Sequence, residues 1–148
     1  MRLLRIMASP VAGALIVFSG TTAMAQSYDK AFESAMNNYQ HHLSTCAAYF
    51  SVVGFCTGTT KNDGLREKLS AASEQATMKA TLVARKIGMS DLAVAARILM
   101  AQEGMVAETD RTCINASVLL HKYGARCVRM MNKPPEEIVT SLMLGQAP

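Results

Sequence analysis

Apolar residues recur at steps of three and four from Tyr28 onward: Tyr28, Phe32, Ala35, Tyr39, Leu43, Cys46, Phe50 and Val53. That spacing lays them along one stripe and predicts a long amphipathic first helix. Gly54 and the segment CTGTTKNDG after it are expected to end the helix, because glycine and Ser/Thr/Asn/Asp clusters are turn chemistry. A second helix is predicted from about Leu65 to Ile87, with Leu65, Leu69, Ala72, Ala76, Ala80, Val83 and Ile87 on one face and Gly88 as its stop. Its small central residues allow a neighbour to approach closely.

Ser90 suits the N-cap of a third helix, in which Leu92, Ala95, Leu99 and Val106 repeat at helical spacing and Val94, Ile98, Ala101 and Met105 broaden the face expected to be buried. Gly104 is the only interruption, and one interior glycine costs about 1 kcal/mol, so the helix is expected to continue through Cys113, Ser117 and Leu120 to about Lys122, with Tyr123-Gly124 as its exit. A short segment from Arg126 to Met131 follows. Pro134-Pro135-Glu136-Glu137 then has the proline and acids of a helix start, and a last helix to about Leu144 carries Ile138 and Leu142 inward. No period-2 run suggests a strand. The expected fold is all-α: three long helices in an up-down-up bundle plus a short C-terminal helix, tied by two inter-helix disulfides.

Composition changes the picture at the N-terminus. Residues 1–25 carry Arg2 and Arg5, an apolar centre and small residues up to Ala23-Met24-Ala25, the layout of a cleavable secretory signal with cleavage after Ala25. The remaining 26–148 is expected to form one helical domain, with no stable membrane span. The chain of 148 residues has 15 basic and 11 acidic residues; losing Arg2 and Arg5 leaves 13 against 11, an excess of +2. Such a small excess implies no nucleic-acid partner. An exported chain of this kind belongs in the periplasm, or is released to the medium.

Four cysteines, Cys46, Cys56, Cys113 and Cys127, fit two disulfides in an oxidising compartment. Helical rise separates Cys46 from Cys56 by about 15 Å and Cys113 from Cys127 by about 20 Å, too far for either pair to bond. With the first and third helices parallel, heights match for Cys46–Cys113 and Cys56–Cys127, the favoured pairing. A break and reversal at Gly104 would instead join Cys46 with Cys127 and Cys56 with Cys113. The spacings of redox pairs, zinc sites and attached haem are absent, which leaves the cysteines as structural staples.

No residue set nominates catalysis. Three histidines without a nucleophile motif make no triad, and the expectation is a protein that is not an enzyme and carries no cofactor. His41-His42 with Cys46 at i, i+4 has a metal-capable spacing, although an oxidised Cys46 is no ligand; His121 stands alone. Eight methionines follow residue 25, and soft thioethers suit copper(I), yet Met36, Met78, Met100 and Met105 lie within helices where they fill cores. Lys122, Arg126, Arg129 and Lys133 step by four, three and four and could form one basic edge for an acidic partner surface or lipid headgroups. The apolar EEIVTSLMLG end either docks on the bundle or engages a partner.

The reading is a small exported, disulfide-stapled helical protein that works by binding another protein, or a second copy of itself as a homodimer. Its layout is coarsely similar to helical periplasmic immunity proteins that neutralise cell-wall-degrading toxins, and to small accessory proteins of secretion or conjugation machines. The alternative is a periplasmic copper- or haem-handling protein.

Overall fold

The computed structural model describes residues 21–57 and 63–148, with side chains described at 27–57 and 64–148. The signal assigned to residues 1–25 lies outside the described residues up to position 20, and the turn expected at 58–62 also lies outside them.

The fold is all-α, built around one central rod. α1 (Thr21–Thr57) is followed by α2 (Asp63–Lys86) and α3 (Asp91–Glu108). The predicted stripe of α1 is buried from Ala35 through Val53, while Tyr28 and Phe32 near its start stay exposed. Between residues 43 and 50 every side of the helix is covered, Ser44 and Thr45 included. A helix covered around its whole circumference belongs in a core; the first part of CAAYFSVVGFC, Cys46 to Phe50, lies in that segment, while Phe55 near its end is 75% exposed. α1 also runs through Gly54 to Thr57, so the glycine does not end it. Gly54 is instead a point of close approach, because a Cβ there would lie 3.2 Å from Leu69 Cβ on α2.

α2 returns antiparallel to α1. Gly54 faces Leu69, and further along Ser73 Oγ donates to Ala47 O at 2.9 Å. Ala76, Ala80 and Ala84 repeat every four residues with no exposure, forming the small ridge that seats α1. Gly88 has φ +73° and Ser90 Oγ accepts from Ala93 N, so α2 stops and α3 starts where the sequence predicts.

α3 departs from expectation twice. It runs parallel to α1, but it buries Val94 and Met105, with Ile98 and Ala101 packed beside them, and turns Leu92, Leu99 and Val106 outward. It also ends at Glu108, not near Lys122, and the reversal falls at residues 109–112, past Gly104. Asp110 and Arg111 have φ of 52° and 58°, and the turn is closed by backbone bonds Arg111 N to Val106 O and Thr112 N to Thr109 O. Thr109 Oγ1 bonds Val106 O, and Asn115 Nδ2 bonds Asp110 Oδ2. Thr, Asp and Asn side chains thus make a reversal without glycine or proline.

Beyond it come a 3₁₀ turn (Cys113–Asn115), α4 (Ala116–Leu119), a π-helical turn (Leu120–Gly124) and α5 (Ala125–Asn132), which together run back along α1. Tyr123-Gly124 is therefore inside this run and not its exit. Gly124 is buried against α1, where a Cβ would stand 3.1 Å from Tyr49 Oη. The reversal also decides the disulfides: Cys46 bonds Cys127 and Cys56 bonds Cys113, each with Cα atoms 5.2 Å apart. The pairing expected from a continuous third helix, Cys46–Cys113 and Cys56–Cys127, is replaced because Cys127 descends past Cys46 instead of rising beyond it. α6 (Pro135–Met143) closes the bundle, burying Ile138 and Val139, with Leu142 packed against the core.

Candidate functional site

The four basic residues do not line one free edge. Lys122, in the π turn of Leu120–Gly124, stands 5.2 Å from the centroid of the Tyr123 ring. Lys122 Nζ pairs with Glu108 Oε1 at 2.7 Å, and Tyr123 Oη donates to the same oxygen at 2.9 Å. These bonds, the lysine's first, hold the Glu108 carboxyl below its ordinary range. Arg126 is half-buried, its guanidinium 5.7 Å from the Tyr123 ring. Arg129 donates to Pro148 O at 3.0 Å, and Lys133 pairs with Glu137. Three of the four are therefore engaged within the chain.

His41 and His42 lie side by side on α1 with ring centroids 5.8 Å apart. Burial, followed by Arg126 and His41, pushes His42 down to about 4, and burial with Arg97 and Arg126 lowers His41. Cys46 is bound to Cys127, so it offers no thiolate to His42. Among the described residues no group of three His, Cys, Asp or Glu side chains could hold a metal ion. His121 is exposed, Met105 and Met130 are core residues, and Met78 and Met100 are exposed on different helices.

The largest unexplained feature is the outer face of α3. Leu92 is 80% exposed, Leu99 55% and Met100 71%, with Ala95, Ala96 and Val106 also open to solvent. These positions recur at helical spacing, so they form one continuous stripe along α3. Glu103 is the single charged residue on that stripe. No protein-family model, curated protein or solved structure matches this chain. The stripe's chemistry is therefore the guide to its use: scattered single apolar residues are ordinary on a surface, whereas a contiguous apolar strip marks contact with another macromolecule.

A second apolar concavity of about 770 Å³ opens between the first half of α1, the second half of α2 and α6. Phe32, Met36, Leu82, Val139 and Met143 wall it, and Lys79 and Lys86 with Glu33 and Glu136 stand at its margin. The docking of α6 makes one wall, so the apolar C-terminal segment serves the bundle itself. No helix among the described residues is long and apolar enough to cross a membrane.

Proposed function

We propose that this is an exported periplasmic protein, released from a signal cleaved after Ala25, that acts by binding another protein through the outer face of α3. The observation that carries the reading is the stripe of Leu92, Ala95, Ala96, Leu99, Met100 and Val106 left open on a helix whose other face is already in the core. Export is supported by the N-terminal layout of residues 1–25 and by two disulfides, which persist in an oxidising compartment. A stapled bundle presenting a rigid apolar helix suits an inhibitor or immunity protein, or an accessory factor of an envelope secretion or conjugation system. Binding, not catalysis, is its work.

The test is a photoreactive residue placed at Leu99 or Met100 in the full chain, activated in cells. The expected result is one dominant crosslinked protein from either position and none from Met78, which is equally exposed on α2. Leu99→Lys should abolish the product while shifting stability by no more than about 0.5 kcal/mol, as surface changes do. A product of twice the chain's mass identifies the partner as a second copy. Identical crosslinking from Met78 and Leu99, or a product indifferent to Leu99→Lys, refutes the proposal.

A further inference from the structure

On the side of α1 flanked by α3 and α5, positive charge collects without an acidic answer. Arg97 comes from α3 and its guanidinium donates to Gln40 Oε1, while the Gln40 amide donates to Ser44 Oγ at 3.0 Å. Arg126 comes from α5, and its Nε is buried with no hydrogen-bond partner. Both arginines are half-buried, and neither has a carboxylate partner among the described residues. His41 feels both guanidinium charges, and His42 feels that of Arg126. The cluster is held in place covalently, since Arg126 precedes Cys127 and His42 lies one turn before Cys46, the two ends of one disulfide.

A buried N–H without an acceptor and two partly desolvated cations without a counter-charge are each unfavourable. An anion seated against the two guanidiniums from the open side would supply the missing counter-charge. A carboxylate brings one negative charge, but two arginines call for two, and a phosphate group carries up to that charge near neutral pH with oxygens enough for two forked donors. The imidazoles add N–H donors on the open side, where His41 is exposed. We propose that His41, His42, Arg97 and Arg126 form a binding site for a phosphate-type oxyanion, free in solution or borne by a lipid headgroup. The site is independent of the partner stripe, because Arg97 is turned toward α1 and its substitution leaves Leu99 and Met100 in place.

The experiment is a titration of the disulfide-intact chain with inorganic phosphate, following the ring protons of His41 and His42 by NMR, with chloride at equal ionic strength as the control. The expected result is saturable movement of both rings in the millimolar range, with the His42 midpoint rising from about 4 as phosphate is added, since an anion favours the imidazolium. Arg126→Gln and Arg97→Gln should each weaken binding about tenfold or more. Arg126→Lys and Arg97→Lys, which keep the charge, guard against simple misfolding and should weaken it severalfold by losing the fork. Lys122→Gln, whose lysine is already paired with Glu108, should leave it unchanged. In a second arm, vesicles of anionic phospholipid that retain the chain, with release by free phosphate, assign the site to headgroups, and phosphate binding without vesicle retention assigns it to the free ion. Shifts no larger than those in chloride, or phosphate shifts that survive both Arg→Gln changes, overturn the proposal.

Discussion

Removing the Cys46–Cys127 bridge should cost more stability than removing Cys56–Cys113, although the entropy of the two closures is nearly equal. The bridges are nested: Cys56–Cys113, with a sequence separation of 57, lies inside the loop of separation 81 closed by Cys46–Cys127. Each alone would restrict the unfolded chain by about 4 to 4.5 kcal/mol. With the inner bridge present, the outer one closes only a ring made of stretches 46–56 and 113–127, about 26 residues and about 3.5 kcal/mol. With the outer bridge present, the inner one adds about 3 kcal/mol by the same reasoning. Burial separates them. Cys46 and Cys127 are fully buried, whereas Cys113 is only half-buried, so alanine at the outer pair also empties a core site, worth about 1–2 kcal/mol more. Urea unfolding without reductant should therefore show losses of about 5 kcal/mol for Cys46→Ala with Cys127→Ala and about 3 kcal/mol for Cys56→Ala with Cys113→Ala. All four changes together remove about 9 kcal/mol, comparable to the whole stability of a typical domain, and should leave little folded protein. A larger loss at the inner pair refutes the burial argument, and a non-reducing peptide map joining Cys46 to Cys113 refutes the nesting itself.

Acid should weaken the fold before carboxylates titrate. His42 charges only near pH 4 in the fold against 6.5 for an ordinary imidazole, so the unfolded chain takes up this proton first and stability falls as pH drops from about 6.5 toward 4, levelling below. At a half-buried site, screening leaves about 1–2 kcal/mol of that effect; denaturant midpoints of His42→Gln should flatten across the window, and an unchanged decline refutes the assignment. Two helical glycines should respond oppositely to alanine: Gly104→Ala meets nothing within 4 Å and should gain about 1 kcal/mol, whereas Gly54→Ala presses on Leu69 Cβ and should lose about 1–3 kcal/mol. The same sign in urea unfolding of both would refute the close-approach role of Gly54. Arg111→Gly should stabilise the fold by about 1 kcal/mol by relieving a left-handed backbone, and so raise the thermal midpoint, and a lowered midpoint would show that the arginine side chain outweighs the strain.

Apart from the end of α1, where Gly54 packs on Leu69 instead of stopping the helix, the helices up to residue 108 were legible because they rest on local chemistry. Stripe spacing marked α1 and α2, Gly88 and Ser90 marked the joint between α2 and α3, and Pro135 with Glu136 and Glu137 marked α6. The reversal at 109–112 was not legible from punctuation by glycine and proline, because Thr109, Asp110, Thr112 and Asn115 build it through their side chains. That run of turn-forming polar residues was the available signal. Missing it inverted the direction of everything after it, and with direction went the cysteine pairing: the alternative joined to a reversal is the one observed.

The candidate surfaces show a different limit. α3 carries apolar residues on two faces, and helical periodicity registers both without ranking them. Which face enters the core depends on partners distant in sequence: Gln40 receives Arg97, and Cys56 fixes Cys113 just beyond the end of α3. These anchors turn Val94 and Met105 inward and leave Leu92, Leu99 and Met100 outside. The basic residues are a related case, since folding brings Lys122 to Glu108 while the Cys46–Cys127 bridge carries Arg126 in beside His42. A linear spacing of charges cannot express those pairings. The arginine proposed to bind an anion was thus visible by type, but its partners, two histidines on α1 and an arginine on α3, become neighbours only once the chain has doubled back.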